Sequence, residues 1–188
     1  MVKVVYRLLG VGSAECMIKI GEDRYTFYAG DVTNALGDIL FALLRVNPLY
    51  PDGKYSPENN SATFRWDGEP EETEWGFRLI EGDRLLVTIN HDHKIKLKTE
   101  CSYQAFLEDI LASAEQILEE YGILGFSEMW YGYGFPIESY LKLKYSQKHM
   151  SAFPLAEEDK SFKSDLTTEF KLLKEILKDD GSCEDLGK

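Results

Sequence analysis

The chain has 188 residues, 44% of them hydrophobic and 13% aromatic, which excludes a disordered polar chain and suffices for a sizeable core. Thirty-three acidic against 21 basic residues give a formal charge of −12. That balance argues against a general affinity for nucleic acid or for anionic membranes and permits a basic protein partner.

No run of about 18 apolar residues is present, so no membrane span is expected. Arg7 interrupts the apolar start MVKVVYRLLG and no small-residue cleavage motif follows, so the expected location is the cytoplasm. Cys16, Cys101 and Cys183 are odd in number and far apart, which indicates neither a disulfide framework nor a CxxC metal site.

From the N-terminus, Val2, Val4, Tyr6 and Leu8 share one face of an extended segment. Ala14, Cys16, Ile18 and Ile20 do the same, and Tyr25, Phe27 and Ala29 line a third strand after a Gly-Glu-Asp turn. Period-2 alternation with short polar turns predicts antiparallel strands with one dry face. The period changes at Asp31, the expected N-cap, and Val32, Leu36, Ile39, Leu40, Leu43 and Val46 fall at helical spacing until Pro48. Residues 47–60 hold three of the six prolines and are expected to form a long loop.

A second series begins with Ala62, Phe64 and Trp66, turns at DGEPEE and returns through Trp75, Phe77 and Leu79. Leu85, Val87, Ile89, His91, His93, Ile95 and Leu97 keep one parity. That run exceeds the usual strand length, so a break near His91 is expected. Ser102 caps a long helix with an apolar stripe from Tyr103 to Tyr121, which Gly122 is expected to close.

The similarity of IGEDRYTF to IEGDRLLVTI suggests a βββα unit used twice. Residues 122–135 then hold four glycines and several aromatics and read as a loop, while 137–147 fits either a helix started by Pro136 or a strand. Residues 151–163 read as loop. Residues 164–178 read as a last helix with Leu166, Phe170, Leu173 and Leu177 on one narrow seam.

The stretch RWDGEPEETEW, residues 65–75, crowds Glu69, Glu71, Glu72 and Glu74 between two tryptophans. Catalytic carboxylate pairs need a raised pKa from burial or a close like charge, which a hairpin tip does not supply. The tip therefore reads as solvated, or as a contact for a basic partner, with Trp66 and Trp75 anchoring its base. His91-Asp92-His93 is the one histidine cluster; on a continuous strand both imidazoles would point to one side and would need a third ligand to hold a metal. No P-loop, dinucleotide fingerprint or G-x-S-x-G occurs. Trp130, Tyr131 and Tyr133 either cover the open face of the sheet or present aromatic contacts.

VGSAECMIKIGEDRYTFYAGDVTNALGDILFALL followed by FRWDGEPEETEWGFRL resembles a family of uncharacterised bacterial proteins with an early strand pair, a D-x-L-x-x-L-L-x-x-L helix and a W-x-x-E-P-x-x-x-x-W segment. Asn34 stands for the leading Asp of the helix pattern, and Trp66, Glu69, Pro70 and Trp75 match the segment. The resemblance implies this order of elements and no activity. In general character the chain is also similar to the immunity proteins of bacterial toxin systems.

These readings define an α+β protein: a mainly antiparallel sheet of about six strands with two helices on one face, in a domain over 1–150, and a C-terminal extension over 151–188 with one helix. The expected function is that of a non-catalytic binding protein, an immunity protein in the sharper form. Glu69, Glu71, Glu72 and Glu74 would attract a basic partner, with Trp130, Tyr131 and Tyr133 making desolvated contacts. No metal or other cofactor is expected. The alternatives are a metal-dependent hydrolase using His91, Asp92 and His93, or a homodimer pairing through the 164–178 seam.

Overall fold

The alternation of residues 2–30 is realised as an antiparallel meander, β1 (Val2–Gly10), β2 (Ser13–Ile20) and β3 (Asp23–Gly30). The computed structural model describes residues 1–50, 60–67, 72–158 and 161–177. They belong to two compact units, Met1–Phe153 and Pro154–Lys188. In the larger unit the meander is followed by α1 (Ala35–Val46) and a second antiparallel meander, β4 (Ser61–Asp67), β5 (Glu72–Leu79), β6 (Arg84–His91) and β7 (Lys94–Ser102). Then come α2 (Tyr103–Met129) and α3 (Ile137–His149).

The protein is thus α+β with two separate antiparallel sheets, of three and four strands, in place of the single sheet of about six. As expected, the long run from Leu85 breaks near His91, at Asp92 and His93, whose φ angles of 50° and 60° make the tight turn between β6 and β7. A β-bulge at Ile89/Asn90 then resets the parity, so that Ile95 is 62% exposed while Leu97 is buried. Moreover, β3 ends its own sheet without hydrogen-bonding into the next.

The duplicated βββα unit also gives way. The second series has four strands, and each helix packs mainly on the sheet it does not follow. α1 lies on β4 and β5, whereas α2 lies chiefly along β1. Leu36, Ile39, Leu40 and Leu43 form the buried face of α1, as their spacing predicts. That helix starts one turn later than expected, at Ala35 with Asn34 in the N-cap position, and Asp31 lies outside it.

The inner faces of the sheets meet through aromatic rings. Trp66 and Trp75 are fully buried with centroids 4.7 Å apart, and Phe27 of β3 lies 4.9 Å from Trp66. Phe106 of α2 meets Phe77 edge-on at 5.3 Å. Such pairs contribute roughly 0.5–1.5 kcal/mol each beyond the area they bury.

The outer edge of β1 is closed by α2 in an unusual way. The backbone N–H groups of Val4 and Tyr6 donate to Asp109 Oδ2 (2.7 Å) and Ser113 Oγ (3.1 Å). Two polar residues on the buried side of a helix thereby replace the missing neighbour strand.

Ser102 caps α2 as expected, accepting from the Ala105 N–H at 3.0 Å. The helix does not stop at Gly122. That residue has φ 67° and ψ 179°, a kink only glycine adopts without strain, and helical turns resume as far as Met129. Residues 137–149 are helical, with Tyr140 and Leu143 buried.

In the smaller unit, residues expected as loop form the hairpin β8 (Leu155–Glu158) and β9 (Ser161–Ser164), followed by α4 (Leu166–Lys174). Leu172 and Ile176 are buried, whereas Leu166, Phe170 and Leu177 of the expected seam are 74%, 55% and 70% exposed.

Candidate functional site

Sequence reasoning pointed to two groups of residues, and they have different fates. On the hairpin of β4 and β5, Trp66 and Trp75 point inward as anchors. Glu72 and Glu74 point outward, and both are held by Arg65 across the strands, at 3.2 and 3.1 Å. One guanidinium faces two carboxylates, so the group keeps a net negative charge at the surface. Glu69 and Glu71 lie outside the described residues.

In the aromatic group, Trp130 is not an exposed contact. It is 1% exposed, and its indole N–H donates to the Thr33 carbonyl at 2.9 Å. Tyr131 beside it is 60% exposed. Tyr133 is half-buried, its hydroxyl donating to the Val32 carbonyl at 3.4 Å. Among the described residues no hydrogen bond or ion pair joins this group to Glu72 or Glu74.

What the structure does assemble is one end of the first meander. The β1–β2 turn, the segment leaving β3 and the end of α2 meet there. The Gly12 N–H donates to the Met129 carbonyl at 2.7 Å, and the Trp130 and Tyr133 bonds tie the same helix end to residues 32–33. Gly12 has φ 68° and packs on Asp31, whose Cγ would lie 3.2 Å from a Cβ at that position. Over this buried frame Val11, Val32 and Tyr131 remain more than half exposed. The half-buried Asp31 and the exposed Glu128 belong to the same segments. The result is a small apolar surface with acidic neighbours, fixed by three long-range hydrogen bonds. Sequence reading missed Val11 and placed Val32 on the apolar stripe of the helix, whereas it precedes α1 and is 53% exposed. The signal was there: Val11 occupies a two-residue hairpin turn, where Asn, Asp or Gly is usual.

Ionisable groups also converge inside the larger unit. Burial raises the Tyr6 phenol well above its ordinary value, with Cys16 and Asp38 adding to the shift. The Cys16 thiol is pushed up by burial and then by Glu15. Burial raises Asp38 to about 6, and the indole N–H of Trp66 opposes that shift from nearby. The indole does not reach hydrogen-bond geometry, however, and its nitrogen, like those of Trp75 and the Tyr6 hydroxyl, has no partner among the described residues. A protonated thiol and phenol provide no activated nucleophile.

Asp38 instead makes stability pH-dependent. Its folded value exceeds the ordinary 3.8, so the folded state holds the proton more tightly. The contribution is complete below pH 4 and is lost as pH rises through about 6. Such a shift corresponds to about 3 kcal/mol at full burial, and solvent access at the half-buried carboxyl reduces this to about 1 kcal/mol. Asp38→Asn is expected to leave the urea midpoint almost unchanged at pH 4 and to raise stability by about 1 kcal/mol at pH 7. Denaturation curves at the two pH values measure the difference; an equal effect at both would show that Asp38 does not titrate in this window.

Two further places bring ionisable side chains together. His91 Nδ1 lies 2.8 Å from Thr73 Oγ1, while Asp92 and the exposed His93 form the turn, so the shared side of a continuous strand does not exist. No group of three His, Cys, Asp or Glu side chains among the described residues is placed to hold a metal ion. Cys101 borders an open cavity of about 530 Å³ with Glu22, Asp23 and Glu100. Burial, then Asp83, pushes its thiol up to about 12, so it is not a thiolate at neutral pH.

The protein is thus α+β, with two antiparallel meanders and one end where apolar side chains stand exposed over a hydrogen-bonded frame. Comparison with protein-family models, with curated proteins and with solved structures finds no match. Among the described residues no helix is long and apolar enough to cross a membrane.

Proposed function

We propose that this chain is a binding protein whose contact surface is the end built from Val11, Val32, Tyr131 and Tyr133, and whose partner is a protein with a basic surface. The observation that carries the reading is the preformed frame: Trp130 is spent on holding Thr33, so that its neighbours stay exposed in fixed positions. Preorganised aromatic and aliphatic side chains bind without a large ordering cost. Asp31, Glu128 and the net charge of −12 would speed encounter with a basic partner, an effect that weakens with salt. In its sharper form the proposal is an immunity protein that blocks a toxin by covering it; general character supports this form, and no single residue does.

The test is capture from a lysate of the native host by the immobilised protein at low and high salt, with Val32→Asp/Tyr131→Ser as the control. A basic protein retained by the wild type at low salt, weakened at high salt and lost with the double variant is the expected result. Failure to retain any basic protein at either salt, or equal retention by the variant, removes the proposal.

A further inference from the structure

The outer face of the three-stranded sheet is charged oppositely to the whole chain. Where the strands stand in register, its outward positions are Lys3, Val5 and Arg7 on β1, Glu15, Met17 and Lys19 on β2, and Arg24, Thr26 and Tyr28 on β3. Four are basic and one is acidic, a net of +3 in a chain of formal charge −12. Arg7 and Glu15 hold each other at 3.0 Å. That leaves Lys3, Lys19 and Arg24 in one row, each directly opposite the next on the neighbouring strand. Like charges so placed destabilise a sheet. Lys3 and Arg24 are exposed and Lys19 is half-buried. No carboxylate among the described residues pairs with any of the three, and the one side-chain hydrogen bond of the row runs from Arg24 Nη2 to Met17 Sδ, a weak acceptor. Asp23 has the inward parity, opposite Ile20, and Glu22 lies in the turn.

The row ends on a strand edge whose main chain is unpaired. The Val4 and Tyr6 N–H groups point to α2, so Lys3, Val5 and Arg7 make the ladder to β2. Bonding alternates along each strand, so Ala14, Cys16 and Ile18 bond in turn to Ala29, Phe27 and Tyr25. The backbone N–H and C=O groups of Arg24, Thr26 and Tyr28 therefore point away from β2, and none has a partner among the described residues. Two other sheet edges are protected: α2 closes β1, and β7 carries the exposed Lys94, Lys96 and Lys98. The β3 edge has neither a covering helix nor a run of lysines, and its register with β2 is free of bulges.

We infer that the edge of β3 receives an extended acidic polypeptide as a fourth, antiparallel strand, bonded to the main chain of Arg24, Thr26 and Tyr28, with a carboxylate opposite Arg24 that neutralises the cationic row. Two separate observations select this occupant. Donors and acceptors alternating along an edge match the main chain of another strand. The net positive face selects a segment that carries acid on the same side. A nucleic-acid strand meets the row with its phosphates but has no main-chain groups to pair with the edge. The site shares no residue with the apolar end and takes the opposite charge, so the two proposals stand or fall separately.

The experiment measures fluorescence anisotropy of a short labelled peptide of alternating glutamate and valine, titrated with the full chain at low salt, with labelled oligo(dT) as the comparison. In the inferred register the glutamates lie opposite Arg24, Thr26 and Tyr28, and their N–H groups face β3. The wild type and Tyr131→Ser are expected to bind the peptide alike. Methylation of the glutamate nitrogens is expected to abolish binding, whereas methylation of the valine nitrogens, which face away from β3, is expected to preserve it. Glutamine in place of glutamate in the peptide, and Lys19→Glu in the chain, are each expected to weaken binding at least tenfold. The peptide changes leave the protein unaltered, so no folding defect mimics them. No binding by the wild type, loss of binding by Tyr131→Ser, equal effects of the two methylations, undiminished binding of the glutamine peptide or by Lys19→Glu, or preference for oligo(dT) each overturns the assignment.

Discussion

Trp130→Ala is expected to destabilise the larger unit by about 4 kcal/mol and to abolish partner capture together with it. The side chain is almost wholly buried, so its removal leaves a cavity that the surrounding structure fills only in part. It also strands the Thr33 carbonyl, which loses the indole donor at 2.9 Å. For a unit of this size the melting temperature should fall by about 10 °C. Trp130→Phe separates the two contributions, because it keeps most of the ring volume and removes only the donor. That variant should lose about 1–2 kcal/mol and retain part of its capture. Thermal melting followed by circular dichroism, with capture measured on the same samples, reads both. A Trp130→Ala protein that melts like the wild type would mean that the frame beneath Val32 and Tyr131 does not depend on this anchor.

The second large effect is expected at the seam between α2 and β1. Asp109→Ala/Ser113→Ala removes the acceptors of the Val4 and Tyr6 N–H groups at once. Each orphaned backbone donor costs about 1–3 kcal/mol, and alanine returns a little through helix propensity, leaving a loss of about 3 kcal/mol. The urea midpoint should fall with no change in slope. Hydrogen exchange at the amides of Val4 and Tyr6 should accelerate more than at the central strand β2. The uncovered edge should also make the double variant more prone to associate at high concentration. Asp109→Asn keeps a carbonyl acceptor and should cost distinctly less. Equal midpoints for the double variant and the wild type would show that these bonds are replaced by others.

Local periodicity made most elements legible. Val4, Tyr6, Cys16, Ile18 and Phe27 are buried as their alternation requires, and the stripe of α1 faces the core. What was not legible depended on contacts remote in sequence. Nothing near β3 announces that its sheet ends there, or that the following helix belongs to the other meander. Gly122 looks like a helix stop because glycine usually is one; Phe126, four residues beyond it, is buried and the helix resumes. Trp130 was ambiguous between anchor and contact until Thr33, 97 residues away, came to face it. Arg65 and Glu74 form a directly opposed pair once the hairpin is centred on residues 69–70, so this ion pair was within reach of the sequence. The bulge at Ile89/Asn90 was not, and it alone moves Ile95 to the surface.

The exchange of helices between the two meanders bears on how the chain is made. Val4 and its acceptor Asp109 are 105 residues apart. A ribosome adds about 5–20 residues per second, so the first three strands wait roughly 5–20 seconds for the segment that seals them. During that interval the nascent polypeptide shows a greasy, unsealed flank. Slower translation should therefore lengthen the interval in which this flank is open to association.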